Sequence, residues 1–131
     1  MPTNIKIIHA QDFIMATPDG NLDLEKSKNL IVKILSISTN LSDFDLIVDT
    51  RKTQVEMSPT DLWSLAQDLS NLRLRKPIWK KTAIICPLER FDFAEFFTLC
   101  SQNRGLQVNA FTSFEDAIEW LSGAWQDFPK V

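Results

Sequence analysis

Apolar and polar residues alternate in blocks along this chain, and the period of each block predicts its element. Ile5-Lys6-Ile7-Ile8 and Phe13-Ile14-Met15-Ala16-Thr17 alternate in part, which predicts two short strands in an antiparallel pair. Pro18-Asp19-Gly20-Asn21 carries turn chemistry, since proline presets φ and glycine or asparagine accepts positive φ. From Asp23 the period becomes helical. Leu24, Ser27, Ile31, Ile34 and Leu35 share a face, while Glu25, Lys26, Lys28 and Lys33 lie largely off it, and Ser38-Thr39-Asn40 ends the run. Leu46-Ile47-Val48 is a buried strand that ends on Asp49-Thr50-Arg51. A short extended link follows, and a second helix opens on Ser58-Pro59-Thr60-Asp61 with Leu62, Leu65, Ala66, Leu69 and Leu72 as its stripe. Residues 82–86 form a strand stopped by Pro87. Phe93, Phe96, Phe97 and Cys100 line a third helix that closes at Gly105, a natural C-terminal cap. Residues 106–111 alternate as a strand. The last helix turns Phe114, Ala117, Ile118 and Leu121 inward and stops at Gly123, leaving a tail that Trp125 and Phe128 would dock.

The order ββαβαβαβα predicts an α/β fold with a mostly parallel sheet, right-handed crossovers and an antiparallel N-terminal strand pair. The near-continuous apolar runs at 46–48 and 83–86 agree, because parallel strands are usually covered on both faces. At 131 residues the chain is read as a single domain, 1–131, with its core at about 5–122 and its tail at 123–131. The composition, 44% hydrophobic and 24% charged, is that of a soluble globular chain. A net charge of −3 argues against nucleic acid as a partner, because phosphate neutralisation needs surplus Lys and Arg. No apolar run approaches the ~20 residues of a bilayer span, so stable membrane insertion is not expected. The start has neither the basic segment nor the apolar core of a signal peptide. With only two cysteines, Cys86 and Cys100, a reducing cytoplasm is the expected compartment.

Element order, together with LIVDTR, SPTDLW, FDFAEFF, NRG and AFTSFEDAIEWL, resembles the SpoIIAA-like group related to STAS domains, from about Ile7 to Leu121. The resemblance implies a small βα superhelix whose general layout is shared with lipid-carrying CRAL-TRIO domains. STAS antagonists act as phosphorylation-switched regulators, and their second helix opens on Asp-Ser-(Ser/Thr)-Gly with the serine phosphorylated by a partner kinase. The matching stretch here is Met57-Ser58-Pro59-Thr60, which keeps the serine but neither the acid nor the glycine. Ser58 is therefore a candidate phosphorylation site by resemblance. By its own neighbours it is a helix N-cap, followed by Pro59 and, three residues on, Asp61.

The remaining chemistry is sparse. Asp92 and Ser113 are expected to cap the third and fourth helices, with carboxylates in the first turn to meet the dipole. No Walker loop or G-x-G-x-x-G run is present. Asp49 sits where receiver domains place a phosphoacceptor, yet no acidic pair follows the first strand. An Asp49–Arg51 pair fixing the link is the expected role, with Arg51 also a candidate for an anion at the carboxyl ends of the strands. A lone histidine, His9, supports neither a zinc site nor a hydrolase triad. Cys86 has no close basic neighbour in sequence and is expected, like Cys100, to resist alkylation in the folded state. Arg73, Arg75, Lys76, Lys80 and Lys81 crowd around Pro77-Ile78-Trp79, either as a solvated loop or as a contact for anionic lipid or an acidic partner.

Two functions from different classes fit these residues. The first is a non-enzymatic regulatory module that meets an unidentified protein partner, or a second copy, through Asp49, Arg51, Ser58 and an exposed Trp63. The alternative is a carrier holding a small apolar or lipid-like ligand beside Phe93, Phe96 and Phe97. No enzyme constellation, cofactor or metal site is expected.

Overall fold

A computed structural model describes residues 4–8, 12–37 and 40–123. His9 and the tail with Trp125 and Phe128 lie outside these residues. The elements are β1 (Asn4–Ile8), β2 (Phe13–Thr17), β3 (Gly20–Leu22), α1 (Leu24–Leu35), β4 (Asp45–Asp49), β5 (Thr53–Val55), α2 (Pro59–Arg75), β6 (Lys81–Ile85), α3 (Phe91–Gln102), β7 (Gln107–Phe111) and α4 (Phe114–Ser122).

The fold is α/β, built on a five-stranded sheet of order β1-β2-β4-β6-β7. β1 and β2 pair antiparallel, with Ile7 opposite Ile14, and every later pairing in this sheet is parallel. Each parallel strand is laid on the same side of the one before it. Strand order therefore never reverses, and right-handed crossovers in one direction bring α1, α2 and α3 onto the same face. The packing shows this division. Leu30 and Ile34 of α1, Leu62, Leu65 and Leu69 of α2, and Phe97 and Cys100 of α3 share one core with Leu46. On the other face α4 packs Ala117 over Ile47, Ala83, Ile85 and Phe111. Adjacent residues of the central strands thus point into different cores, which is why their sequence is continuously apolar rather than alternating.

Local chemistry explains most of the ends. Ser58 caps α2 through a reciprocal box: its hydroxyl accepts from the Asp61 N–H at 3.1 Å, and the Asp61 carboxylate accepts from the Ser58 N–H at 3.1 Å. Asp23 and Ser113 cap α1 and α4 in the simpler way. Asp92 does not cap α3, contrary to the sequence reading. A 3-10 turn over Leu88–Arg90 runs straight into the helix, which begins at Phe91 and puts Asp92 inside its first turn. Gly105 (φ +80) closes α3 as expected, letting the Leu106 N–H return to the Ser101 carbonyl at 3.0 Å.

Two further strands depart from the predicted order. The expected turn at Pro18–Asn21 continues as β3, and part of the extended link after β4 is β5. These two pair in parallel as a separate small sheet, with Gly20, Asn21 and Leu22 opposite Thr53, Gln54 and Val55. Three residues rich in Gly, Asn and Gln give no periodic signal. The small sheet joins the entrances of α1 and α2, and the Glu56 N–H donates to the Leu22 carbonyl at 2.9 Å to extend it.

Candidate functional site

An apolar cavity of about 130 Å³ lies between the main sheet and the three helices on its first face. Leu46 and Val48 of β4 and Ile84 of β6 form its floor. Its sides are Leu30 and Ile34 of α1, Leu62 and Leu65 of α2, and Phe97 of α3. Leu22 and Val55 of the small sheet complete the wall beside Met57. Thr50, Cys86 and Arg90 place one end of the cavity beyond the carboxyl ends of β4 and β6, where ligands of parallel sheets collect. Because this sheet has no reversal point, the space opens under the helices rather than in a crevice between them.

The few polar groups in the wall are already committed. Thr50 Oγ1 donates to the Ile85 carbonyl at 2.8 Å, and Ser27 Oγ donates to Met57 Sδ at 3.5 Å. Thr82 Oγ1 accepts from the Trp79 indole N–H at 2.7 Å. Burial pushes the Cys86 thiol up, an effect that nearby Arg90 only partly opposes, and its Sγ lies 3.7 Å from the Phe111 carbonyl oxygen. Arg90 donates through Nη1 to the Thr53 carbonyl and through Nη2 to the Thr50 carbonyl at 3.1 Å, so it ties the turn after β4 to the start of α3.

Of the three phenylalanines expected to line such a pocket, the structure brings two to it. Phe97 is buried in the wall, and Phe93 lines it while remaining 48% exposed. Phe96 is turned outward, 38% exposed and away from the cavity. The inward stripe of α3 is narrower than its sequence predicts, because the helix is apolar on its outer side as well, through Phe96 and Leu99.

None of Asp49, Arg51, Ser58 and Trp63 lines the cavity. Alternation along β4 puts Asp49 on the α4 side with Ile47, while Val48 and Thr50 face the cavity. The Arg51 guanidinium grips the Asp49 carboxylate with two bonds, Nε–Oδ1 at 3.0 Å and Nη2–Oδ2 at 2.8 Å, and the Arg51 backbone N–H adds a third at 3.1 Å. Trp63, 48% exposed, lies under the Arg104 guanidinium at 4.7 Å, and Arg104 in turn donates to Gln67 and to the Cys100 carbonyl.

Burial would raise the Asp49 pKa, but the Arg51 side chain and backbone N–H together hold it below the ordinary value. A depressed folded pKa gives stability that is present above the unfolded value, about 3.9, and is lost as pH falls through the folded one. Arg51 is half exposed, so the contribution is screened. Asp49→Asn is expected to cost about 0.5–1 kcal/mol at pH 7, a cost that shrinks as the pH falls below the unfolded value and through the depressed folded one. Urea midpoints of the two proteins should converge on acidification; a constant gap would mean that the charge is not the cause.

The basic segment does not present its aromatic residue. Trp79 is buried in the cavity wall beside buried Ile78, and Arg73 donates to the Gly105 carbonyl at 2.9 Å, so a lipid contact through this tryptophan is ruled out. Among the described residues no group of His, Cys, Asp and Glu is placed to hold a metal, and no helix is long and apolar enough to cross a membrane. Sequence reading missed Arg90, Ser27 and Met57 as wall residues. The only available signal was a serine inside an otherwise apolar stripe of α1.

No family model matches the sequence, and no curated protein matches it. Among solved structures the chain is similar to an uncharacterized protein of the DUF3478 family from Shewanella loihica, described as having a SpoIIAA-like fold. The two share 17% identity over 92% of each chain, with a TM-score of 0.53. At this identity the likeness speaks for the fold alone, and the chain has a SpoIIAA-like fold.

Proposed function

We propose that this domain is a non-enzymatic carrier of a small apolar or lipid-like ligand, held between the sheet and α1, α2 and α3. The observation that carries the reading is the cavity itself. Close-packed cores leave few voids larger than a water molecule, whereas this pocket, partly open to solvent, holds about 130 Å³ walled almost wholly by carbon. An engineered dry cavity of about 150 Å³ takes up benzene, which sets the scale of the occupant at roughly six to eight carbons. The non-enzymatic part rests on the state of the wall groups: its hydroxyls are engaged in hydrogen bonds, and its thiol is kept protonated by burial.

Titration calorimetry with straight-chain 1-alkanols tests the reading. Affinity should rise roughly fourfold per methylene, the equivalent of about 0.8 kcal/mol, and level off near six to eight carbons. Absence of binding at millimolar concentration, or a rise that never levels, would overturn it.

A second reading, a protein-interaction module, is favoured by a different observation. Phe93, Phe96 and Leu99 form an exposed apolar row along α3. A concentration-dependent dimer that Leu99→Lys dissociates would support it.

A further inference from the structure

Among the described residues Arg90 is the one charged residue in the cavity wall, and no carboxylate forms an ion pair with it. Its two bonds to the Thr50 and Thr53 carbonyls use two of the five N–H donors of a guanidinium. Three donors and a full positive charge therefore remain at the end of a space lined by carbon. The clamp on the turn does not explain the charge, since a neutral amide could donate the same two bonds. Arg90 is only partly buried, so water meets these donors when the site is empty, and an anion reaching the rim would replace that water with charge-assisted bonds.

Other groups bear on the same end. Glu89, Asp92 and Glu95 flank Arg90 in sequence; all three are exposed, where water screens them, although Glu89 and Glu95 still add to the upward push on the Cys86 thiol at this end. Cys86 is held neutral by burial and adds no negative charge to the wall. Phe93 and Ala94 bring α3 into the wall at this rim, where the helix continues directly from the 3-10 turn over Leu88–Arg90 and the Phe91 N–H donates to the Leu88 carbonyl.

We infer that the ligand is an amphiphilic anion: a single apolar tail of roughly six to eight carbons in the cavity, with a carboxylate head at Arg90. The inference rests on the carrier reading and names the chemical class of its ligand. Arg suits this role because its planar fork meets a carboxylate through two parallel bonds.

Hexanoate and 1-hexanol, titrated separately into the intact protein by calorimetry at pH 7, separate the two ideas. Hexanoate should bind at least ~tenfold tighter than hexanol at low salt, and the ratio should shrink towards one in ~1 M NaCl, because a partly open ion pair is screened. Arg90→Gln should weaken hexanoate at least ~tenfold more than it weakens hexanol, and Arg90→Lys should restore part of that difference. If Arg90→Gln fails to fold, the salt dependence of the parent's preference decides. Hexanol binding as tightly as hexanoate would overturn the anionic head while leaving the carrier reading intact. Failure of both to bind would overturn the carrier reading and this inference with it.

Discussion

Ser27→Leu is expected to abolish ligand uptake and to make the protein more stable at once. Ser27 is buried on α1, its hydroxyl meets only the Met57 sulfur, at 3.5 Å, among the described residues, and its side chain faces the cavity. Leucine adds apolar atoms into space that is already open, so the usual overpacking cost is small. It also replaces a weaker helix former with a stronger one. Burial at about 0.8 kcal/mol per methylene, less some rotamer entropy, suggests a gain of about 1–2 kcal/mol. Hexanol affinity should fall at least ~30-fold, because the tail loses its volume. Thermal melts and the alkanol titration read the two effects separately. Unchanged affinity would place the binding site elsewhere, and a large loss of stability would mean that the cavity cannot accept a side chain.

A second result should divide two neighbouring isoleucines. Ile85 is fully buried on the α4 side, against Ala117 and Phe111, while Ile84 fronts the cavity from the same strand. Ile85→Ala should cost about 3–4 kcal/mol, the ordinary penalty for emptying a close-packed site. Ile84→Ala should cost about half as much, because a side chain that borders a void has fewer partner atoms to lose. Binding should divide in the opposite sense. Ile84→Ala lengthens the best-fitting alkanol by about two carbons, roughly 15-fold in affinity for the longer chain, and Ile85→Ala leaves the series unchanged. Chemical denaturation and calorimetry on the two variants check this. Equal costs with equal binding would mean that the cavity has collapsed in solution.

The large features of this fold were legible because each rests on many residues. The stripe of α2, the apolar runs of β4 and β6 and the Ser58 cap each repeat one physical rule several times within a short span. The small β3–β5 sheet was not legible, since Gly20, Asn21 and Gln54 carry no apolar period and their pairing is set by the distant register of two chain segments. The cavity was legible only in part. Phe97 and Phe93 could be placed from helical spacing, but a void is a mismatch between three helices and a sheet, and no single segment records it. Arg90 was overlooked for a related reason: its surroundings come from β4, β5 and α3 together. Alternation along β4 turns Asp49 away from the cavity that Val48 and Thr50 face, which a strand of uncertain register could not resolve in advance.

The placement of Trp79 gives the protein a built-in optical reporter. Its indole lies in the cavity wall, shielded from solvent, with its N–H held by Thr82 at 2.7 Å. Trp63 is half exposed beneath Arg104, and Trp120 is partly covered beside Lys81. Aqueous iodide should therefore quench Trp63 before Trp79, whereas a brominated alkanol reaching the cavity should darken the blue-shifted emission of Trp79 first. Occupancy becomes readable without any label attached to the chain.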